Sequence, residues 1–147
     1  MKSEPDEFSI TDLKNRPDKT EPWNGIRNYQ ARNYIRDEMN SGDLAFFYHS
    51  NCKPPGIVGI MQIKGDPRSD PDALDRKSRY FDPASTAETP RWFLVDVKYK
   101  KQLRRTITLD ELRQHKRLEK MKLLQKGNRL SIMPVTKAEW DYILSLE

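Results

Sequence analysis

The sequence predicts an α+β fold, a barrel or strongly curved sheet with helices packed around it, on three observations. Four stretches carry strand patterning, more than a helical bundle allows. They are not separated by regular crossover helices, which argues against a doubly wound parallel sheet. Two S/T-x-x-E capping boxes and one weaker relative mark short helices between and after the strands.

Each element has a local reason. Ser9 precedes Ile10 and Leu13, with Asp12 three residues on, which predicts a short capped helix ending by Pro17. Residues 15 to 22 are polar with two prolines and read as a loop. Asn28 then caps a helix whose Ala31, Tyr34, Ile35 and Met39 form one apolar stripe, stopped by Gly42. "LAFFYHS" (44–50) and "GIVGIMQIK" (56–64) read as strands joined by a turn containing Pro54, Pro55 and Gly56, an antiparallel hairpin.

Residues 65–90 lack periodicity and are rich in proline, so they read as a long excursion with at most one helical turn; long ordered loops are often functional. "RWFLVDVKYK" alternates, with Phe93, Val95, Val97 and Tyr99 toward a core and Trp92, Leu94, Asp96 and Lys98 opposite. Thr108 and Glu111 form a capping box, after which Leu109, Leu112, Leu118, Met121 and Leu124 keep apolar spacing as far as Gly127. "RLSIMPV" reads as a last strand, and Thr136 with Glu139 opens a terminal helix that buries Trp140, Ile143 and Leu144.

Composition bounds the function. The 147 residues suit one domain spanning 1–147, and an aromatic content of 10% separates the chain from disordered sequences despite its 33% charged residues. Cys52 is alone, so an internal disulfide is excluded and a reducing compartment fits. The opening "MKSEPDEF" has no apolar signal core, and no run of 18 apolar residues occurs, so a soluble cytoplasmic protein is expected, or a nuclear one in a eukaryote. One cysteine and two separated histidines match no zinc spacing, and no glycine-rich phosphate loop is present; no cofactor or metal is expected. "GIVGI" has glycines three apart, but inside a strand, where glycine permits close backbone approach.

The net charge of +5 favours an anionic partner. Lys98, Lys100, Lys101, Arg104 and Arg105 crowd one segment, and Arg113, Lys116, Arg117, Lys120, Lys122, Lys126 and Arg129 follow. Such a run is either a solvated face or a phosphate-binding one, and salt dependence separates the two.

The runs "KSEPDEFSI", "WNGIRNYQARN", "GDLAFFYHSN", "GIVGI", "PRW" and "GNRLSIMPV" followed by "EW" together resemble the EVE domain, in order and over almost the whole chain. The resemblance implies a PUA-like curved β-barrel flanked by helices, and a role in reading modified bases in nucleic acid, as in the similar YTH domain; the ASCH domain is a further likeness. The chain departs from the pattern at its start, where the usual apolar residues ahead of "KSEP" are missing, so either the first strand is shortened or the start is late. Ile26 and Ile132 stand where valine is usual, and Met133 replaces a commoner polar residue.

A module that reads single bases must unstack one at a cost of a few kcal/mol and recover it by stacking and edge hydrogen bonds. Stacking on one aromatic ring returns about 1 to 3 kcal/mol, so one or two rings suffice. Trp23, in a polar loop with Asn24 and Gly25, and Trp92 are the candidates; Trp140 belongs to the core. With the resemblance, the expected base pocket comprises Ser3, Glu4, Trp23, Gly25, Ile26, Asn28, His49, Ser50 and Trp92. Asn28 equally serves as a helix cap, and Ser3 and Ser50 as turn residues. Lys2, Arg27, Lys100, Lys101 and Arg129 are expected at phosphates, and Arg32 in solvent. The partner expected is DNA or RNA with a methylated or hydroxymethylated base, bound by a monomer.

The competing reading is a small-molecule enzyme, such as a hydrolase acting on a nucleoside-like substrate through Ser50, His49 and Glu4. Neighbouring residues on a strand point to opposite faces, which places Ser50 and His49 poorly as nucleophile and base. No catalytic residue is therefore assigned, and the protein is not expected to be an enzyme.

Overall fold

Five strands form one sheet in the order β1-β3-β4-β5-β2, in a computed structural model that describes residues 1–147. The central strands are β3 (Leu44–His49), β4 (Gly56–Ser69) and β5 (Phe93–Thr108), paired antiparallel. At one edge, β1 (Lys2–Ser3) runs parallel to β3 with Ser3 opposite His49, and the Met1 amine donates to Phe46 O at 2.9 Å. At the other edge, β2 (Thr20–Pro22) pairs with β5, Glu21 opposite Val97. The hydrogen-bonded ladder therefore has two edges and does not close into the expected barrel. The α+β class holds.

Both faces of the sheet are covered, because alternate residues of a strand point to opposite sides. Phe47, Val58, Met61, Val95 and Val97 pack against Ile10 and Leu13 of α1 (Ile10–Lys14) and Ala31 of α2 (Tyr29–Asn33). Phe46, Tyr48, Ile60, Leu103 and Ile107 pack against Leu112 of α3 (Leu109–Arg113) and Ile143 of α4 (Lys137–Ser145). Gly59 lets β5 approach closely: a Cβ there would stand 2.7 Å from Lys101 O.

The capping residues act as their types require. Ser9 and Thr136 each form a reciprocal box, with Asp12 and Glu139. Thr108 accepts from Glu111 N, but the box is one-sided because the Glu111 carboxylate is taken by Arg105 at 2.6 and 2.8 Å.

Several elements differ from expectation. Residues 65–69, read as the start of the excursion, belong to β4, with Arg68 opposite Leu94 and Ser69 opposite Phe93, and β5 continues past Lys100 to Thr108. Residues 20–22, read as loop, form β2, because β5 supplies a ladder that no local propensity reveals. The strand expected at "RLSIMPV" makes no ladder; this stretch lies against β1 with one bond, Lys2 N donating to Ser131 O at 2.8 Å. The apolar spacing after Leu112 folds as α3 and two isolated helical turns, Lys116–Leu118 and Lys122–Leu124, rather than one helix. The helix begun at Asn28 widens at Tyr34–Glu38 into a π turn and ends at Met39, short of Gly42. Leu94 is as buried as the core-facing residues of β5, at 1% exposure, so that strand is covered on both sides here.

Candidate base-binding site

The two edges of the open sheet line one cavity. Lys2 and Ser3 come from β1, Glu21 and Pro22 from β2, and the walls are completed by Glu4, Glu7, Phe8, Arg16, residues 23–26, Ser50, Arg79, Tyr80, Arg129 and Ser131. Its volume of about 670 Å³ falls within the roughly 300 to 1,000 Å³ of small-molecule sites. Parallel pairing of β1 with β3 brings Ser3 and Ser50 to one rim, where Ser50 N donates to Ser3 O at 3.0 Å.

Eight expected residues lie here: Ser3, Glu4, Trp23, Gly25, Ile26 and Ser50 of the base set, and Lys2 and Arg129 of the phosphate set. Trp23 is also a core residue, 7% exposed, set edge-on to Phe8 and Phe47 with centroids 6.4 and 5.5 Å away. The cavity therefore meets a tryptophan that cannot swing. The Ser3 hydroxyl is spent on Phe8 O at 2.6 Å, and Glu4 accepts from Asn51 at 2.9 Å.

The remaining six serve elsewhere. Asn28 caps α2, accepting from Ala31 N at 3.0 Å. His49 Nε2 accepts from Ile10 N at 3.1 Å, and burial lowers the imidazole pKa below its ordinary value, against a smaller opposing pull from Asp12. Trp92 is 5% exposed, donates to Asp82 at 2.6 Å and stacks on Tyr29 at 4.8 Å. Arg27 pairs with Asp70 at 3.0 Å and donates twice to Tyr80 O. Lys101 pairs with Glu147 at 2.7 Å, and neither it nor Lys100 lines the cavity. Arg32, expected in solvent, donates to Arg91 O at 2.8 Å and lies over the Tyr29 ring.

Sequence reasoning flagged the 65–90 excursion as a long loop but assigned none of its residues; the part beyond β4, from Asp70 on, supports the site. Asp70, 2% exposed, accepts from Gly25 N, Arg27 Nη1 and Asp72 N, while Asn24 donates to Asp72. Tyr80 lies flat on Gly25, whose φ is +78°; a Cβ there would come 2.5 Å from the ring. Trp23 N still donates to Val95 O at 2.8 Å, beside the β2–β5 pairing, and residues 24–28 beyond it are held in an irregular path by the excursion. The backbone N–H groups of Asn24 and Ile26 donate to nothing in the protein. An irregular segment with fixed, unpaired donors on a cavity wall can read the edge of a planar ligand.

Charge in the cavity is sorted by pairing. Arg16 binds Glu21 at 2.5 Å, and Arg79 binds Glu7 at 3.0 Å, which holds the Glu7 carboxyl below the usual range. Lys2 and Arg129 form no ion pair, although the Lys2 ammonium lies over the Tyr48 ring at 5.9 Å, so Arg129 is the cation of the lining left without a partner. Burial of its ammonium lowers the Lys2 pKa. Among His, Cys, Asp and Glu, no group of three is placed to hold a metal ion. No helix is long and apolar enough to cross a membrane.

The family model for the EVE domain matches residues 1–146. Thymocyte nuclear protein 1 of Homo sapiens is 42% identical over 163 residues, covering 100% of this chain and 72% of the relative. A crystal structure of a Pseudomonas syringae protein superposes with a TM-score of 0.93 at 47% identity, covering 99% of this chain and 96% of that one. Human THYN1 in complex with 5-methylcytosine containing DNA superposes equally, with TM-score 0.93, 43% identity, and coverage of 99% and 94%. By its matched length, its sequence identity and its fold, this chain belongs to the EVE domain family.

Proposed function

We propose that this protein reads a modified base in nucleic acid, with 5-methylcytosine in DNA as the ligand to test first. The observation that carries the reading is the cavity between the sheet edges, lined by Trp23 and the irregular residues 24–26, with Arg129 exposed and without an ion pair among its lining residues. It is supported by the human relative bound to 5-methylcytosine containing DNA. On this reading residues 1–147 act as one EVE domain, and the curved sheet serves as the PUA-like barrel. The protein binds as a monomer and carries out no chemical step. It works where its nucleic acid lies, in a bacterial cytoplasm or a eukaryotic nucleus. Ser3, Glu4, Ile26 and Ser50 line the pocket, Gly25 gives the wall its turn, and Asn28, His49 and Trp92 hold the wall from behind. A hydrolase is not favoured, because His49 Nε2 is occupied by Ile10 N–H beside Ser50.

Burying one methyl group is worth about 0.8 kcal/mol, so wild type is expected to prefer a methylated over a plain duplex by roughly fourfold. Fluorescence anisotropy with the two duplexes measures this. Ser50→Met, which fills the cavity from its rim, is expected to abolish the preference, and Trp23→Phe, which keeps the core aromatic, to reduce it. If both variants retain the wild-type preference, the base lies elsewhere.

A further inference from the structure

Ten ion pairs join side chains of this protein, and none involves a residue between 113 and 129. That segment carries seven cations, Arg113, Lys116, Arg117, Lys120, Lys122, Lys126 and Arg129, against the single carboxylate of Glu119. Its six net positive charges exceed the +5 of the whole chain, so the rest of the molecule is close to neutral. All seven cations are exposed.

The segment is not a loose tail. Leu112, Leu118 and Met121 anchor it in the core at 0, 0 and 3% exposure, so its backbone is fixed and the cations between these anchors face outward. Gln125 Nε2 donates to Glu119 O and Met121 O at 3.0 and 3.1 Å, and the Asn128 amide donates to Lys122 O, which closes the chain into a compact arm. The arm ends at the pocket: Arg129 and Ser131 line the cavity, and Leu123 shares a small apolar cleft with Lys2. Seven cations held a short span apart, with one carboxylate among them and no ion pair formed, repel one another; an anion with closely spaced charges relieves this.

We propose that residues 113–129 are a phosphate-tracking arm that grips the DNA backbone beside the flipped base, and that this arm, rather than Lys100 and Lys101, supplies the salt-dependent part of the affinity. The assignment rests on the nucleic-acid reading above. Each phosphate neutralised on B-DNA contributes about 0.9 to the slope of log K against log salt. Replacing Lys120, Lys122 and Lys126 together by Gln should make that slope shallower by about 2.7, and should weaken methylated and plain duplexes alike. Lys64→Gln, Lys101→Gln and Lys137→Gln together, whose ammonium groups already pair with Asp18, Glu147 and Asp141, serve as the control matched in charge.

Anisotropy titrations between about 50 and 200 mM salt decide the matter. The proposal stands if the triple variant flattens the slope while its methyl preference stays at the wild-type value and the control leaves the slope unchanged. It is overturned if triple variant and control change the slope equally, or if neither changes it; a persisting methyl preference then leaves the pocket reading intact. A flattened slope in a protein with no methyl preference upholds the arm and removes the pocket reading instead. Absence of any duplex binding by wild type overturns both.

Discussion

The wall of the pocket and the arm beside it are both rich in cations, but they use them in opposite ways. Arg27 and Arg79 are paired within the protein, Arg27 with Asp70 and Tyr80 O and Arg79 with Glu7 at the surface, while the seven cations of the arm form no ion pair. An arginine in a family motif is therefore a poor guide to phosphate contact until its partner is known. Arg27 is tied to Asp70 and Tyr80, whereas Arg129, exposed within the turn that Asn128 Oδ1 closes on Leu130 N, forms no ion pair and lines the cavity. On the proposed reading the difference separates two physical tasks: the wall sets which base fits, and the arm sets how firmly the backbone is held.

The largest expected effect tests the wall. Asp70→Ala removes a buried acceptor of three hydrogen bonds and leaves Arg27 without its charge partner. Breaking a buried pair in this way costs about 3 kcal/mol, read as a lower midpoint in urea unfolding. The variant should also lose the methyl preference while keeping the wild-type salt slope. If the slope falls with the preference, wall and arm are one unit and the contrast fails.

A smaller effect tests the arm without altering its charge. Asn128→Ala removes the amide that holds Lys122 O and the oxygen that accepts from Leu130 N at 2.9 Å. The expected loss is about 1 kcal/mol of stability, with a shallower salt slope because the cations are no longer held in register. An unchanged slope would mean that charge count alone, and not placement, governs the grip.

The smallest effect appears only in acid. Burial holds the folded His49 pKa below its ordinary 6.5, so below that pH the unfolded chain takes up the proton first. Its contribution is complete above 6.5 and is lost as pH falls through the window below. The Met1 amine, lowered by burial to about 5, adds acid sensitivity that a variant at position 49 shares with wild type. His49→Gln retains an acceptor for Ile10 N, and its melting temperature is expected to fall less than that of wild type between about pH 7 and pH 5. Parallel falls would remove the imidazole from the account of how the wall is supported.

Much of this fold was legible locally. Ser9, Asn28, Thr108 and Thr136 announce their helices because a cap is a contact between neighbours in sequence. Phe47, Val95 and Val97 announce the core because a strand alternates. What was not legible depends on partners far along the chain. Thr20 to Pro22 become a strand only because Asp96 to Lys98 lie beside them. Arg27 looks like a phosphate ligand until Asp70 is seen against it, and no periodicity marks Asp70 or Tyr80 within the excursion. Trp23 stands out in sequence by its polar neighbourhood, and it lies on the cavity wall while also packing in the core. Trp92, equally conspicuous in sequence, proved to be held by Asp82 and Tyr29.

The flat contact of Tyr80 on Gly25 bears on how such a module can change. Surface loops usually tolerate insertions and deletions, because little depends on where their residues fall. In this protein the excursion is clipped to residues 23–28 at Asp70, Asp72 and Tyr80, so a single residue gained or lost between those points would shift the clip against its counterpart. Grafting the motif at 23–28 onto another scaffold would transfer only half of a two-part lock. A change of length between Asp70 and Tyr80 is thus expected to disturb the wall, whereas on the proposed reading substitution of rim residues such as Ser50 and Ser131 alters the pocket and leaves the lock in place.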